Sequence, residues 1–543
     1  MQLKKMLCIM LAFGLLIFSA ACSNKSAPQD SQKKSPVMPG GRLVFASSYE
    51  PNTLNPLLSD LVSAKEVASL VFSGLVRMND KGEWFADLAT EVPSLQNGGV
   101  SADGRTVTYR LRQNVLWHDG VPFTADDVVF TWQVIMNPRN NIVTREGYDQ
   151  ILSVEAVDKY TVVMKFRQQY PPYLTLFSAI LPKHLLQSAD FAKTAFHRAP
   201  VGTGPFIFKQ WRIGEDITLD ANHNYHLGKP VLDSILYRII PDLNVLLTQL
   251  KAGQIDIVGG LDLAYLEQIK AMDGVRSFFS PTLVWEHLDL NMDSPLLRDV
   301  QVRTAIALGL DRQAIINAAL KGTASVAATD QAAFSWGCNP ALQPAARNLT
   351  AARETLTQAG WKLGTDNVFV KDGRKLAISL MTTNGNKTRE IAAQAVAQQL
   401  KELGIEVSLR FIDSKQLFST VLPGRRFDAA MYAWQLGQDP DNRGLWHSRS
   451  IPAPHNQYLG KNYSGWRNPE VDNLTDQAFQ TMDVMARQQM YYRVQELMLQ
   501  DWPAIPLYFR TELGVTKHSI VNYQPTVNGG ALWNSWQIGF AAP

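Results

Sequence analysis

The sequence predicts an α/β protein made of more than one packed unit, and three observations carry that reading. Its 543 residues exceed what one hydrophobic core organises, so about two to four units are expected, and a 46% hydrophobic content supplies the apolar surface to fill them. Residues 375–435 alternate strand, helix, strand, helix, strand, the pattern of a parallel βαβ sheet. Elsewhere, short runs with a period of two, such as "TVTYRL" with Val107, Tyr109 and Leu111 on one side, read as half-buried strands.

Taken from the amino end, Lys4 and Lys5 precede an apolar run over residues 6–18, the charged and hydrophobic regions of a signal peptide, too short for a comfortable membrane span. Small residues follow in "SAAC", ending at Cys22, which resembles a bacterial lipobox with Ser19 where Leu is usual. Residues 1–21 are then expected to be removed and Cys22 lipidated; the other reading is a plain signal peptide with an incidental Cys22. With Cys8 removed and Cys22 committed, Cys338 is left alone, so no intramolecular disulfide is expected. Residues 22–41, rich in Ser, Lys, Pro and Gln, read as a flexible tether, with the folded body starting at Arg42.

The body opens with a strand, "RLVFASS", and a turn-rich loop, "YEPNTLNPL". In "FTADDVVFTWQVIMNP", Thr124 is placed to cap a helix, Asp126 and Asp127 sit in its first turn, and Pro138 ends it. Neighbouring helix residues face different ways, so this acidic pair reads as dipole compensation rather than a catalytic dyad. "VGTGPFIFKQW" lacks the Gly-Lys-Ser/Thr of a phosphate loop and reads as a tight turn feeding a strand.

In residues 375–435 the helix is expected to turn Ile391, Val396, Leu400 and Leu403 to one face and to stop at Gly404, with right-handed crossovers. Ligands of open α/β sheets collect beyond the carboxyl ends of the strands. That rule brings "TTNGNKTRE" and "LGQDPDN" to one edge, so Asn384, Asn386, Arg389, Asp439 and Asn442 are expected at one crevice.

The balance of 52 Lys plus Arg against 49 Asp plus Glu, with no basic run in the body, gives no footprint for nucleic acid. The 9 His are scattered, and no H-E-x-x-H, G-x-S-x-G or Cys-x-x-Cys motif occurs, so the chain reads as a non-enzyme with no cofactor or metal. "HNYH", His223 to His226, reads as surface histidine. "DPDN" lacks the Gly and Glu of a calcium loop.

Six ordered blocks, "TVTYRLRQNVLWHDGVPFTADDVVFTW", "VGTGPFIFKQW", "LRDVQVRTAIALGLDRQAI", "QAVAQQLKELGIEVSLRFID", "FDAAMYAWQLGQDPDN" and "WPAIPLYF", resemble the peptide- and nickel-binding family of bacterial extracellular solute-binding proteins, the receptors of ABC importers. The resemblance covers nearly everything after Arg42. It implies a two-lobed periplasmic-binding-protein-like fold with a hinge: lobe one over residues 42–85, 202–285 and 510–543, an inserted subdomain over 86–201, and lobe two over 286–509. It implies a monomeric, lipid-anchored receptor in the cell envelope that captures oligopeptides or dipeptides by closure and passes them to permease subunits. A receptor of the same fold for a nickel chelate, haem, glutathione or an oligosaccharide is the alternative.

In similar receptors the peptide backbone bonds to strand edges. Here Trp285 and residues 433–435, including Trp434 and Gln435, correspond, although both tryptophans also suit a core strand. The Asp that pairs with a peptide ammonium in similar receptors falls on Gly437, leaving Asp439 or Asp441 to replace it. Arg389 matches an Arg that binds carboxylate, or is a surface Arg without ligand. Ser47, Tyr49 and Asn52, after the first strand, are the lobe-one candidates.

Overall fold

A computed structural model describes residues 37–527 and 529–542. The signal, Cys22 and most of the expected tether lie outside the described residues. The tether is shorter than expected at its far end: Val37–Met38 already pairs with Gly539–Ala541 at the other terminus. Two hydrophobic residues among polar ones suffice because the C-terminal strand supplies a partner.

One 11-stranded sheet runs through the molecule. Its strands are β1 (Arg42–Ser47), β2 (Phe206–Arg212), β3 (Asp216–Ala221), β4 (Ser234–Ile239), β5 (Ile257–Leu261), β6 (Val275–Leu290), β7 (Ser325–Val326), β8 (Ala377–Thr383), β9 (Glu406–Ile412), β10 (Ala429–Gln435) and β11 (Ala504–Lys517). They lie in the order β9-β8-β10-β6-β11-β5-β1-β4-β3-β2, with β7 on β11. In one half β1 is parallel to both β4 and β5; in the other β8 is parallel to both β9 and β10. These halves are lobe one and lobe two of an α/β two-lobed fold.

The long strands β6 and β11 belong to both halves. They pair antiparallel from Val275 with Lys517 to Pro281 with Thr511, lose register, and resume from Trp285 with Phe509 to Asp289 with Ala504. Pro281 explains part of the break, since it has no N–H to give the ladder.

Three main cores follow the same division. Lobe one packs Leu43, Phe45, Tyr237 and Ile257 beneath helix α1 (Val62–Val71). Lobe two packs Leu288, Leu380 and Met431 against helix α3 (Lys387–Leu403). Residues of the 75–180 stretch form a third core around Tyr109, Trp117 and Phe123, with its own three-stranded sheet of Thr106–Arg110, Thr161–Phe166 and Ile151–Asp158.

Helix α2 (Ala125–Met136) begins as the sequence predicts. The Thr124 N–H donates to Asp127 at 2.9 Å, and Asp126 pairs with Lys183 at 3.2 Å, so the acidic pair is structural. Helix α3 ends at Gly404 with φ 110°, a conformation that favours glycine. Its buried face differs from the expectation: Ala392, Val396, Leu400 and Leu403 face the core, whereas Ile391 is 40% exposed. The small Ala392 and Ala393 let the helix approach the sheet, which rotates Ile391 outward. In "VGTGPF", the Gly204 N–H donates to the Val71 carbonyl at 2.8 Å, and a Cβ on Gly202 would lie 1.8 Å from that same oxygen. These glycines serve close packing. The histidine reading needs one correction, because the His226 ring is buried and meets Asp87 at 2.7 Å, beside Arg77; only His223 is at the surface.

Candidate functional site: the cleft between the lobes

The parallel strands β8 and β10 point the same way, so the loops after Thr383 and Gln435 leave one edge of lobe two. Strand β10 loses its β8 neighbour after Met431, the last residue paired there, while β6 flanks it through Gln435. The Leu436 N–H donates to Leu283 at 2.9 Å, toward β6. In an antiparallel ladder alternate residues face opposite sides, so Ala433 and Gln435 turn their backbone groups away from β6. Among the described residues nothing pairs with them there. Trp434 is half-buried, its ring stacked 5.9 Å from that of Tyr463. Gln435 is exposed.

The acidic loop behaves differently from the expectation. Asp439 is held bidentately by Arg487, at 2.7 and 3.0 Å, with that guanidinium almost fully buried in helix α4 (Val484–Asp501). It is not a free carboxylate waiting for an amine. Asn442 is also withdrawn: it is buried, and its Nδ2 donates to Asp330 at 3.0 Å, where the Trp446 indole also donates at 2.7 Å. Burial pushes the Asp330 carboxyl above its usual range. Asp441 is exposed and accepts only the Arg443 N–H, at 3.0 Å.

Three further candidates are engaged within the protein. Trp285 has no exposed surface; its ring lies flat on His287 with centroids 4.1 Å apart, so it is a core residue. Asn386 caps α3 by accepting the Arg389 N–H at 3.0 Å, and Asn384 is exposed beside it. Arg389 is buried and its fork is occupied by Glu286, at 2.9 Å, and by the Thr383 hydroxyl, at 2.7 Å. Arg510, at the break between the two halves of β11, reaches the same fully buried Glu286 from the other side. Burial would raise the Glu286 carboxyl, but the two guanidinium groups outweigh it and hold the carboxyl below its ordinary value.

From lobe one, Tyr49 is 72% exposed and Asn52 is exposed, while Ser47 is buried and accepts the Tyr49 N–H at 3.2 Å. All three follow the carboxyl end of β1. A cavity of about 260 Å³ lies mainly between lobe one, which supplies Lys65, Phe72 and Trp533, and the 75–180 stretch, which supplies Leu174 and Ser178, with Gln438 reaching it from lobe two. The 75–180 unit also touches lobe two: the Tyr170 ring lies 6.4 Å from Phe479, which also carries the Arg443 guanidinium at 3.6 Å.

Sequence reasoning missed Arg487, Glu286 and Arg510. Glu286 had a legible signal, since a carboxylate in the otherwise apolar strand "LVWEHLDL" needs a cation. Arg487 stands in a helix with no distinguishing pattern. No described helix is long and apolar enough to cross a membrane, and no described group of His, Cys, Asp and Glu is arranged to hold a metal ion.

A sheet shared by two lobes through two crossing strands, with a cleft between them and an open strand edge on one wall, defines a two-lobed solute-binding protein. The family model described as "Bacterial extracellular solute-binding proteins, family 5 Middle" matches residues 84–452, and the chain belongs to that family. Among relatives, the chain is 32% identical to the oligopeptide-binding protein AppA of Bacillus subtilis (strain 168) over 510 residues, covering 91% of each chain. The structure of AppA from Bacillus subtilis in complex with a nonapeptide superposes with a TM-score of 0.65 at 29% identity, covering 93% of this chain and 100% of that one. NikZ from Campylobacter jejuni in complex with Ni(L-His) superposes with a TM-score of 0.67 at 26% identity, covering 92% of this chain and 99% of that one.

Proposed function

We propose that the chain is an oligopeptide receptor, lipid-anchored through Cys22, that encloses its ligand by closure of the two lobes and delivers it to the permease of an ABC importer. The observation that carries this reading is the unpaired edge of β10 at Ala433 and Gln435. An extended peptide laid along it adds a strand, and main-chain bonds are common to all peptides, so affinity does not depend on one sequence. The relation to an oligopeptide-binding protein supports the same ligand class. Closure would act where β6 and β11 lose register between Pro281 and Trp285, since a broken ladder bends more readily than a continuous one. We place the lobe boundaries at these crossings.

A non-peptide ligand is the second reading, favoured by Gly437, which leaves lobe two without the usual amine anchor, and by the commitment of Asp439 to Arg487. Native mass spectrometry of protein purified without denaturation separates the two. A family of peptides supports the receptor reading; a single chelate or sugar refutes it.

A further inference from the structure

Lobe one holds two carboxylates that the structure leaves without a cation. Glu66, on α1, accepts the Tyr237 hydroxyl at 2.6 Å, and the space beside its other oxygen is bounded by Gly259 of β5. Glu512 lies on β11, opposite Ser280 and two residues beyond Arg510, and is exposed. No Lys or Arg among the described residues pairs with either: the neighbouring Lys65 is taken by Asp60 at 3.0 Å, and Arg510 is taken by Glu286.

The two share a face of the sheet. Leu513 and Val515 pack on the opposite face with Ala46, so Glu512 projects to the side of Phe45 and Tyr237. On that side Phe278, paired across from Gly514, meets the Tyr523 ring at 5.4 Å. The Tyr523 hydroxyl is buried with no hydrogen-bond partner among the described residues, and burial first, then the charges of Glu66 and Glu512, raise its pKa. A buried hydroxyl without a partner costs free energy unless something fills the space before it. The cluster adjoins the carboxyl ends of the parallel strands β1, β4 and β5, where open α/β sheets bind ligands, and Lys65 and Ser69 of α1, with Phe72 just after it, line the neighbouring cavity of about 260 Å³.

We propose that lobe one carries a subsite for a primary ammonium group, with Glu66 and Glu512 supplying the charge and the Tyr523 hydroxyl accepting a hydrogen bond from it. The subsite would replace the amine anchor missing at Gly437, from the opposite wall of the cleft. It rests on the peptide reading only for the source of the ammonium, an α-amine or a lysine side chain. Desolvation raises the Glu66 carboxyl to about 7, with neighbouring Glu512 adding to the rise, as expected of a charge site lacking its counter-ion.

The test offers wild type, Glu66→Gln and Glu512→Gln three forms of one casein digest: untreated, α-acetylated with lysine free, and acetylated at both amines. Retained peptides are read by native mass spectrometry. Wild type should retain peptides from the untreated digest and reject the doubly acetylated one, and both variants should lose about tenfold of that discrimination. Retention of the α-acetylated form assigns the site to lysine side chains, and its rejection assigns it to the peptide amine. Equal retention of all three forms by wild type, or undiminished discrimination in the variants, overturns the subsite. If no form is retained the peptide reading fails, and propylammonium chloride decides the subsite separately. That probe must raise the melting temperature of wild type above that in tetramethylammonium chloride, and must not do so for Glu66→Gln; no such difference overturns it.

Discussion

Arg487 grips Asp439 with two hydrogen bonds, at 2.7 and 3.0 Å, while its Nε donates to the Ala478 carbonyl at 3.0 Å. The acidic loop of the cleft is thereby fastened to the helix beneath it. Asp439→Asn leaves a buried guanidinium without its counter-charge and is expected to cost about 3–5 kcal/mol in urea unfolding. Replacing the pair together, Asp439→Leu with Arg487→Met, should recover most of that loss, because removing both charges also removes their desolvation cost. A loss near zero for Asp439→Asn would mean that the pair is not held as described.

The Glu286 cluster gives a prediction in acid. Arg389 and Arg510 hold the Glu286 carboxyl below its ordinary 4.5, so its contribution to stability is present above that value and is lost as pH falls through the lowered one. Glu286→Gln should therefore melt lower than wild type at about pH 7 and approach it at about pH 3. Thermal melts at both values check the convergence.

Glu66 has the opposite sign. Its carboxyl is raised from 4.5 to about 7, so the folded state holds the proton more tightly than the unfolded one, and stability declines as pH rises through that window. Glu66→Gln resembles the protonated acid and should gain melting temperature over wild type at about pH 8 but little at about pH 5. The reverse order would contradict the burial of an unpaired carboxylate.

A side chain at position 437 is sterically permitted. A Cβ there meets Asp439 backbone atoms at 3.5 and 3.9 Å, ordinary contact distances, and the backbone is not in the left-handed region. Gly437→Asp should melt within about 2 °C of wild type, the usual range for a surface change. Its retained peptides should shift further toward those with a free α-amine, a shift that native mass spectrometry reads directly.

The βαβ units around Ala377–Thr383, the strand Arg42–Ser47, the cap at Thr124 and the stop at Gly404 were legible because period, cap chemistry and glycine conformation are local properties. The two-lobed arrangement came from family resemblance instead, since nothing local announces that Val275–Leu290 and Ala504–Lys517 pair across more than two hundred residues. The site suffered for the same reason. The strand-end rule brings Arg389, Asp439 and Asn442 to one edge, yet their partners Glu286, Arg487 and Asp330 stand far away in sequence. Spacing identifies a charged side chain; only the fold reveals whether its charge is already answered. Glu66 and Glu512 carry no signal in the sequence, because an acid on a helix or strand is ordinarily solvated and the missing cation is visible only in three dimensions.

On the proposed function, the free edge of Ala433 and Gln435 receives a peptide main chain. Native mass spectrometry of the protein purified from its own cells, without denaturation, tests it most directly. A heterogeneous set of bound peptides is expected, displaced together when the protein is unfolded and refolded. A single bound species with no peptide bonds would contradict it.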